Sequence, residues 1–270
     1  MKKSIVCFLA FILVAGQTAF AAPRSESSAT QTQVLTIGAT AVPHAELLNL
    51  IKADMMAQGI ELKVIEFTDY VTPNSALMAG DLDANYFQHV PYLESNPQWK
   101  ASLIPAFGVH VEPLGLYSQR IKNIADLSQG ARIAIPNDPS NGGRALLLLQ
   151  KGGLITLKPE AGLRPTPLDI VDNPKGLRFS ELEAAQLPRV LSDMDAAVIN
   201  GNYALTAGLN PARDSILIEG SDSPYVNYVV VKRGNENDPK IKVLESILRS
   251  QKIKDYINRT WNGSVMATFN

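Results

Sequence analysis

Short apolar runs alternate with segments of helical period along most of this 270-residue chain, and this alternation limits the possible folds more than any other feature. Strands and helices in alternation are typical of an α/β fold. The predicted strands span residues 34–38, 61–67, 84–87, 103–106, 109–117, 131–136, 177–182, 196–200, 216–219 and 226–232. We therefore expect sheets that are covered by helices.

Helix-favouring residues fill the gaps between these strands. Pro43 can occupy a first helical turn, and Gly59 ends the helix that follows it. Thr72 and Pro73 begin a shorter helix, which Gly80 ends. The predicted helices span residues 43–58, 72–79, 90–94, 121–127, 139–150, 184–191 and 240–260, of which the last has the strongest helical period.

The pattern of strand and helix starts again near residue 131, after an extended crossing. This repetition predicts two α/β lobes, each a mixed sheet flanked by helices. We place lobe 1 at residues 34–117 plus 228–270 and lobe 2 at residues 118–227. Because hinged lobes close around ligands and the carboxyl ends of strands face the crevice, the cleft between the lobes is the expected ligand site.

The first residues have the pattern of a secretory signal peptide. Two lysines precede an apolar run over residues 5–15, and an A-x-A cleavage site ends at Ala21. An uncleaved anchor is the alternative, but the run is shorter than the roughly 20 residues that span a bilayer. We therefore expect a signal peptide at residues 1–21 and a flexible leader at residues 22–33.

Charge and cysteine content disfavour several classes of protein. The chain has 25 Lys plus Arg and 26 Asp plus Glu, and loss of Lys2 and Lys3 leaves 23 basic against 26 acidic residues, a net charge of −3. Binding to nucleic acid or to an anionic membrane surface is disfavoured, because both need clustered Lys and Arg. Cys7 is the only cysteine and precedes the predicted cleavage site, so the mature chain would have no thiol.

Motifs of the common enzyme classes are absent from the sequence. There is no G-x-G-x-x-G, G-x-x-x-x-G-K-[ST], G-x-S-x-G or H-E-x-x-H motif, which removes the main support for dinucleotide, P-loop, α/β-hydrolase and zinc-peptidase functions. No serine or threonine has an evident base partner either. We therefore expect a binding protein rather than an enzyme.

The segment from Asn137 to Arg144 is the sharpest polar signal in the chain. A strand ends there, small residues leave backbone N–H groups open at a helix N-terminus, and Arg144 lies in the first turn, where its charge opposes the helix dipole. Such a cation is costly unless an anion is close, and a forked guanidinium suits a carboxylate. The alternative is a surface salt bridge from Arg144 to Asp138 or another acidic residue.

Aromatic and amide side chains also follow the predicted strands, where they can line an apolar slot for a ligand. They include Tyr70 after the second strand, Phe87, His89 and Tyr92 at and after the third, and Asn202 after a later one. For each aromatic residue, ordinary core packing is the alternative interpretation.

Three histidines raise the question of a metal site. His44, His89 and His110 could bind a metal together with Glu46 or Glu112. No two of these histidines lie within one helical turn of each other, and this spacing does not favour metal binding. We therefore predict no metal ligands and no cofactor.

Several longer segments of the chain occur in the same order in one known family. They are Gly38-Ala39-Thr40, Pro43-His44-Ala45-Glu46, Phe67-Thr68-Asp69-Tyr70-Val71, Phe87-Gln88-His89, Pro91-Tyr92-Leu93, Ile135-Pro136-Asn137-Asp138-Pro139-Ser140-Asn141, Ala197-Val198-Ile199-Asn200-Gly201-Asn202-Tyr203 and Ser223-Pro224-Tyr225-Val226-Asn227. The chain thereby resembles the NlpA/MetQ family of methionine-binding proteins, over nearly the whole length that follows the signal peptide.

The resemblance implies a two-lobed periplasmic binding protein of type II. Such a protein binds methionine, for which we expect the L-isomer, and delivers it to an ABC importer of the MetNI type. It also implies eight ligand-binding residues. Four would surround the thioether, which gains from aromatic contacts: Tyr70, Phe87, His89 and Tyr92. Four would bind the amino-acid head group: Arg144 at the α-carboxylate with Asn141 beside it, together with Asn202 and Asn227.

Members of this family are commonly lipoproteins, and the sequence departs from that pattern because no cysteine stands at the predicted cleavage site. We therefore expect a protein that diffuses freely in the periplasm and is not lipidated. We also expect it to be a monomer. Other ligands stay open, namely D-methionine, methionine sulfoxide, short methionine peptides and zinc. An enzyme on the same two-lobed fold is the further alternative.

Overall fold

The structure is a computed structural model that describes residues 32–220 and 223–270. The predicted signal peptide and most of the predicted leader lie outside these residues. Gln33, which we expected in the leader, is the first residue of a strand. The strands are β1 (Gln33–Thr40), β2 (Ile60–Phe67), β3 (Ala84–His89), β4 (Leu103–Val111), β5 (Gly115–Tyr117), β6 (Arg132–Pro136), β7 (Thr156–Leu157), β8 (Ile170–Asp172), β9 (Arg178–Leu182), β10 (Ala196–Ile199), β11 (Leu217–Ile218), β12 (Val226–Lys232) and β13 (Met266–Ala267).

Helices occupy most of the gaps between strands. They are α1 (Glu46–Leu50), α2 (Lys52–Ala57), α3 (Thr72–Ala79), α4 (Val90–Leu93), α5 (Pro97–Ser102), α6 (Pro139–Lys151), α7 (Leu187–Val190), α8 (Gly201–Thr206), α9 (Pro211–Asp214), α10 (Pro239–Leu248) and α11 (Gln251–Trp261). Several begin with a proline after a polar cap, because proline has no N–H to leave unpaired and the cap oxygen accepts the next free N–H groups. Asn96, Asp138 and Asp238 are such caps. No helix of the described residues is both long and apolar enough to cross a membrane.

The first sheet has the strand order β13-β4-β12-β3-β1-β2. β1 pairs in parallel with β2 and β3, while β12 is antiparallel to β3 and β4. Apolar residues of α1, α2, α10 and α11 pack with the strands in one core, in which Met55, Leu244, Ile253 and Ile257 are fully buried. We call this sheet and its helices the first lobe.

The second sheet has the strand order β11-β5-β10-β6-β9, and β6 pairs in parallel with both β9 and β10. Its core combines Ile133 and Ile135 of β6 with Leu146 and Leu149 of α6. We call this sheet and its helices the second lobe. β6 leads into α6 and β10 leads into α8, so both helices begin at the same edge of the sheet.

The chain crosses between the sheets twice, from β4 to β5 and from β11 to β12. The crossings fall between Val111 and Gly115 and between Ile218 and Val226. β5 is antiparallel to β10 and β11, although the predicted boundary at residue 117 assigns it to lobe 1. The lobe limits stay a prediction, which these strand pairings would shift by a few residues. One continuous apolar stretch does not show where an extended chain leaves one sheet and enters the next.

Several segments differ from the predicted elements. The helix predicted at 43–58 is interrupted at Ile51, between α1 and α2, and residues 121–127 contain only a 3₁₀ turn at Ile124–Asp126. The helices α8 and α9 lie in segments where no helix was predicted.

The helix predicted at 240–260 is two helices, because Ser250 is extended (φ −78°, ψ 159°) between α10 and α11. The apolar period continues across this break because both helices face the same core. Between residues 154 and 175, where the sequence suggests at most a short helix, β7 and β8 form a small antiparallel pair.

Candidate functional site

A cleft between the two lobes contains all eight residues that the sequence singled out. Four further residues line it that were not predicted there. The lining residues are Tyr70, Phe87, Gln88, His89, Tyr92, Glu112, Asn141, Arg144, Asn200, Gly201, Asn202 and Asn227.

The topology explains why these residues meet. Tyr70 follows β2, and Phe87 and His89 end β3, so strand ends deliver the aromatic residues of the first lobe to one edge of its sheet. Asn141 and Arg144 lie in the first turns of α6, and Asn202 lies at the start of α8. Asn227 of β12 and Glu112 of the first crossing complete the cleft.

The first lobe contributes an aromatic wall, which consists of Tyr70, Phe87, His89 and Tyr92. The ring centroids of Tyr70 and Phe87 are 5.9 Å apart, and those of Tyr70 and Tyr92 are 5.7 Å apart. The Tyr92 hydroxyl donates to the backbone oxygen of Tyr70 at 2.9 Å. These contacts fix the rings against each other and present an apolar surface to the cleft.

His89 is neutral on this wall, and its hydrogen bonds define its tautomer. The backbone N–H of Tyr92 donates to Nδ1 (3.2 Å), so Nε2 carries the proton and donates to Asn141 Oδ1 (3.2 Å). Burial, reinforced by the charge of Arg144, lowers the pKa of His89 to about 3. Both ring nitrogens are therefore used within the protein, and the ring offers mainly its face to the cleft.

The second lobe contributes a polar wall, which consists of Asn141, Arg144, Asn200 and Asn202. Arg144 is 4% exposed and forms a two-point ion pair with Glu219, with Nε donating to Oε1 at 2.7 Å. Its Nη2 also donates to the backbone oxygen of Glu112 (2.9 Å), and its guanidinium lies 4.2 Å from the ring centre of Tyr225. The partner of Arg144 in this structure is thus an acid 75 residues away and not Asp138.

Asp138 caps the N-terminus of α6 and does not form the salt bridge with Arg144 that the alternative interpretation proposed. Its Oδ1 accepts from the backbone N–H groups of Ser140 (3.1 Å) and Asn141 (2.8 Å), and its Oδ2 accepts from the Asn141 side chain (2.9 Å). The N–H groups that we expected to be open at this helix N-terminus are therefore capped. Burial raises the pKa of Asp138, and these hydrogen bonds oppose that shift.

Behind the aromatic and polar walls, Glu112 lies beside two buried histidines, of which His110 donates a hydrogen bond to it while His44 Nε2 donates to Asn227 Oδ1 (3.1 Å). Glu112 Oε1 lies 3.2 Å from His44 Nε2 and 2.8 Å from His110 Nε2. Thr40 Oγ1 contacts the other nitrogen of His44 (2.8 Å), and the Tyr86 hydroxyl contacts that of His110. Each ring nitrogen thus has a hydrogen-bonding partner.

The charge states of this cluster follow from burial. Burial lowers the pKa of His44 to about 4, with His110 adding to the shift and Glu112 opposing it, and burial lowers the pKa of His110 to about 3. Both imidazoles are therefore neutral near pH 7. Burial raises the pKa of Glu112, while His44, Arg144 and the Asn202 backbone oppose that shift. Glu112 accepts from His110 Nε2 and from the backbone N–H of Asn202, as a carboxylate does.

The cluster also tests which histidines could share a metal. Ligand atoms of His44, His110 and Glu112 all lie within 4.8 Å of one another. His89 is not part of this group, and Glu46 instead accepts from the Tyr256 hydroxyl at 2.6 Å. The structure thus brings together two of the three histidines, although their spacing in the sequence gave no sign of it.

Hydrogen bonds across the cleft hold the lobes together. The Tyr70 hydroxyl donates to Asn202 Oδ1 (2.5 Å), and the Tyr203 hydroxyl donates to the backbone oxygen of Thr68 (3.0 Å). The rings of Tyr70 and Tyr203 are 4.9 Å apart. The structure is therefore a closed form, in which the aromatic and polar walls face each other.

Glu112, Asn200 and Gln88 are the polar residues of the cleft that sequence reasoning missed. Asn200 lies directly before Gly201 and Asn202, in a segment that the sequence had marked as a strand end. Gln88 belongs to a buried amide cluster with Asn74, to which its Nε2 donates at 2.6 Å. The sequence named Glu112 only as a possible metal ligand beside the histidines, and its place in the cleft had no signal of its own.

Comparisons with known proteins match the chain to one family. The family model of the NlpA lipoprotein matches residues 35–269. The D-methionine-binding lipoprotein MetQ of Salmonella typhimurium is 46% identical over 211 residues, which are 77% of this chain and 78% of that protein.

Two solved structures have the same fold. A nutrient-binding protein from Burkholderia cenocepacia bound to methionine has a TM-score of 0.84 at 47% identity, covering 87% of this chain and all of that one. An ABC transporter periplasmic substrate-binding protein from Coxiella burnetii has a TM-score of 0.83 at 42% identity, again over 87% of this chain and all of that one. The predicted two-lobed periplasmic-binding-protein fold is confirmed.

The prediction that the protein is not lipidated is contradicted by these comparisons. The matching family and the MetQ relative are both named lipoproteins. The prediction depended on the position of Cys7, which lies outside the described residues. The distance of one residue from an expected cleavage site does not outweigh the character of a family whose model matches residues 35–269. On sequence, fold and cleft together, the chain belongs to the NlpA lipoprotein family.

Proposed function

We propose that the protein is the substrate-binding component of an ABC importer and that it binds L-methionine in the closed cleft. The observation that carries this proposal is the division of the cleft into an aromatic wall and a polar wall, which suits a ligand with an apolar end and a charged end. The Burkholderia relative is described as bound to methionine, and the Salmonella relative is named for D-methionine. The Coxiella relative is described as an ABC transporter substrate-binding protein.

The carboxylate of the ligand would bind to donors that the protein leaves unpaired. Within the described residues, Asn202 Oδ1 and Asn227 Oδ1 accept hydrogen bonds from Tyr70 and His44, so each amide Nδ2 is left as a donor for the cleft. Arg144 uses Nε and Nη2 within the protein and keeps Nη1. Three donors and one cation suit a carboxylate, because charge-assisted hydrogen bonds are stronger than neutral ones.

The thioether would lie against the aromatic wall. The hydroxyls of Tyr70 and Tyr92 and both nitrogens of His89 are engaged in hydrogen bonds within the protein. What the wall offers is therefore aromatic carbon, against which a polarizable sulfur gains contact energy.

Asn141 would act on the ligand indirectly. Its Nδ2 donates to Asp138 Oδ2, and its Oδ1 accepts from both His89 and Asn200. The oxygen has no capacity left for a ligand, since an amide oxygen has two lone pairs, and one N–H of Nδ2 is the donor that remains. We assign Asn141 to positioning the polar wall, in place of the direct contact beside Arg144 that the resemblance implied.

The protein would act outside the cytoplasm as a monomer without catalysis, and the closed form would be presented to the importer. The MetNI type of importer is the partner that the family resemblance suggests. A second candidate ligand is zinc, because His44, His110 and Glu112 place three ligand atoms within 4.8 Å. D-Methionine, methionine sulfoxide and short methionine peptides are the alternatives within the same cleft.

Thermal unfolding of ligand-free protein tests the proposal. The protein is first unfolded and refolded to remove any bound ligand, then melted alone and with L-methionine, D-methionine, glutamine or zinc. A ligand at about 100 times its dissociation constant should add roughly 2.7 kcal/mol of stability. We expect the largest shift with L-methionine. No shift with methionine would contradict the proposed ligand, and a shift with zinc alone would favour the histidine cluster.

A further inference from the structure

Asn200 is a cleft residue that lies immediately after β10, at the cap position of α8. Its backbone oxygen accepts from the N–H of Ala204, while its side chain makes no capping hydrogen bond. The residue is 6% exposed and lines the cleft. Its side chain is therefore held at the ligand site and is not needed to begin the helix.

The orientation of the Asn200 amide is fixed by a chain of hydrogen bonds that begins at Asp138. A carboxylate only accepts, so the Asn141 atom at 2.9 Å from Asp138 Oδ2 must be Nδ2. The other end of Asn141 is then Oδ1, which accepts from His89 Nε2 and from Asn200 Nδ2 (2.9 Å). The atom of Asn200 that is left over is Oδ1, a pure acceptor.

This Asn200 Oδ1 is buried and has no hydrogen-bonding partner among residues 32–220 and 223–270. The other buried side-chain atoms in the same condition are the hydroxyls of Tyr117, Ser140 and Tyr225, which do not line the cleft. Leaving a buried acceptor unpaired is costly, so such an atom in a binding site indicates a partner that the protein itself does not supply. An amide oxygen can be completed only by a donor.

We propose that Asn200 Oδ1 accepts a hydrogen bond from the α-ammonium group of the ligand. This inference rests on the proposed function, because it assumes that an amino acid occupies the cleft. An ammonium group has three N–H donors, so it needs acceptors. The other free groups of the polar wall are donors, which suit the carboxylate of the ligand and not its ammonium group. The Glu112 carboxylate, which also lines the cleft, supplies the negative charge that an ammonium needs.

The consequence is selectivity for ligands with a free amino group. A site built to hydrogen-bond a substrate N–H rejects the analogue that lacks it, because the buried acceptor is then left unpaired. N-terminally blocked peptides and the des-amino acid with the same thioether should therefore bind poorly.

The test compares two ligands that differ only at the amino group, L-methionine and its des-amino analogue 4-(methylthio)butanoate, by calorimetric titration of refolded protein. The native protein should bind L-methionine at least about tenfold more tightly. In Asn200→Ala, the affinity for L-methionine should fall about tenfold or more, while the affinity for the analogue should change less than about twofold. A side chain that only supports the fold would weaken both ligands equally.

Asn202→Ala is the matched control, because it removes an amide from the same wall that we assign to the carboxylate. It should weaken both ligands by a similar factor, since both have a carboxylate. Parallel losses in Asn200→Ala would overturn the inference, and so would equal affinity of the native protein for the two ligands, a result that does not depend on the folding of any variant. If the native protein binds neither ligand, the proposed function itself fails.

Discussion

The two walls of the cleft differ in how they use their polar atoms. On the aromatic wall, every side-chain N and O atom of Tyr70, His89 and Tyr92 has a partner within the protein. On the polar wall, Asn200 and Asn202 each keep one end of the amide unpaired among the described residues. Both walls contain polar residues, so residue type alone does not tell them apart. The two walls differ in whether their polar atoms are free to bind a ligand. Within the described part of the chain, the aromatic wall has none free and suits a thioether, whereas the polar wall has free donors and acceptors and suits a charged head group.

The largest effect is expected from Arg144→Ala. The substitution removes the cation of the polar wall and leaves Glu219 as a largely buried, unpaired charge. We expect the free energy of unfolding to fall by about 3–5 kcal/mol and methionine affinity to fall by more than about 1 kcal/mol. Denaturant unfolding and calorimetric titration measure the two effects.

A matched control for this variant is Arg213→Ala, which removes an exposed arginine from its ion pair with Asp214. It should change neither quantity appreciably. A folded Arg144→Ala protein with native affinity for methionine would show that the guanidinium does not bind the carboxylate.

The second largest effect is expected from Asn227→Ala. Asn227 Oδ1 accepts a hydrogen bond from His44 (3.1 Å), so its Nδ2 is the end of the amide that is available to a ligand. In Asn227→Ala, methionine affinity should fall by about 1.5–3 kcal/mol, since a hydrogen bond to a charged group is lost. The thermal midpoint of the unliganded protein should change little in comparison. An unchanged dissociation constant would remove Asn227 from the binding site.

His89 of the aromatic wall should make the free energy of unfolding depend on pH. Because its pKa is lowered from 6.5 to about 3 when folded, the unfolded chain binds more protons between these two pH values. Stability from this group is therefore complete above about pH 6.5 and is lost as the pH falls, by at most about 1.4 kcal/mol per pH unit.

His89→Gln isolates this contribution, because glutamine keeps an N–H donor for Asn141 and does not titrate. Urea unfolding of both proteins from pH 7.5 to 4.5 should show a shallower loss of stability in the variant. Equal slopes would mean that the pKa of His89 is the same in the folded and the unfolded protein, which would contradict a buried, neutral His89 on the aromatic wall.

The smallest effect concerns the bond that joins the walls. Tyr70→Phe keeps the ring but removes the hydroxyl that donates to Asn202 Oδ1. Methionine affinity should fall by about 0.5–1.5 kcal/mol. Tyr256→Phe is the control, because it removes a comparable hydroxyl, bonded to Glu46, from outside the cleft. Equal affinities of the two variants would show that closure does not depend on this bond.

The sequence contained enough local information to predict most of the elements around the cleft, although it did not predict α8. The proline and glycine signals at Pro73, Gly80 and Pro139 mark helix ends that the structure has. The predicted cap at Thr72 is wrong, because Thr72 is the first residue of α3 and Asp69 accepts from its N–H.

The break at Ser250 could not be predicted, because both flanking helices keep one apolar face toward the same core. The point before Gly115 where the chain passes from the first sheet to the second could not be predicted either, because an extended apolar segment has the same sequence pattern in both sheets.

The pairing of polar side chains was much less predictable. The position of Arg144 near a helix start was clear, but its partner Glu219 is 75 residues away and lies within the second crossing. His110 is only two residues from Glu112, but the fold alone brings His44 to the same carboxylate. Such pairings depend on the three-dimensional arrangement, and they decide which end of each amide faces the ligand.

The most direct measurement of the difference between the walls is the crystal structure of the refolded protein with L-methionine. We expect the sulfur to lie against Tyr70, Phe87, His89 or Tyr92, with the carboxylate at Arg144 and the ammonium at Asn200 and Glu112. A bound methionine with its head group on the aromatic wall, or bound outside the cleft, would contradict the assignment.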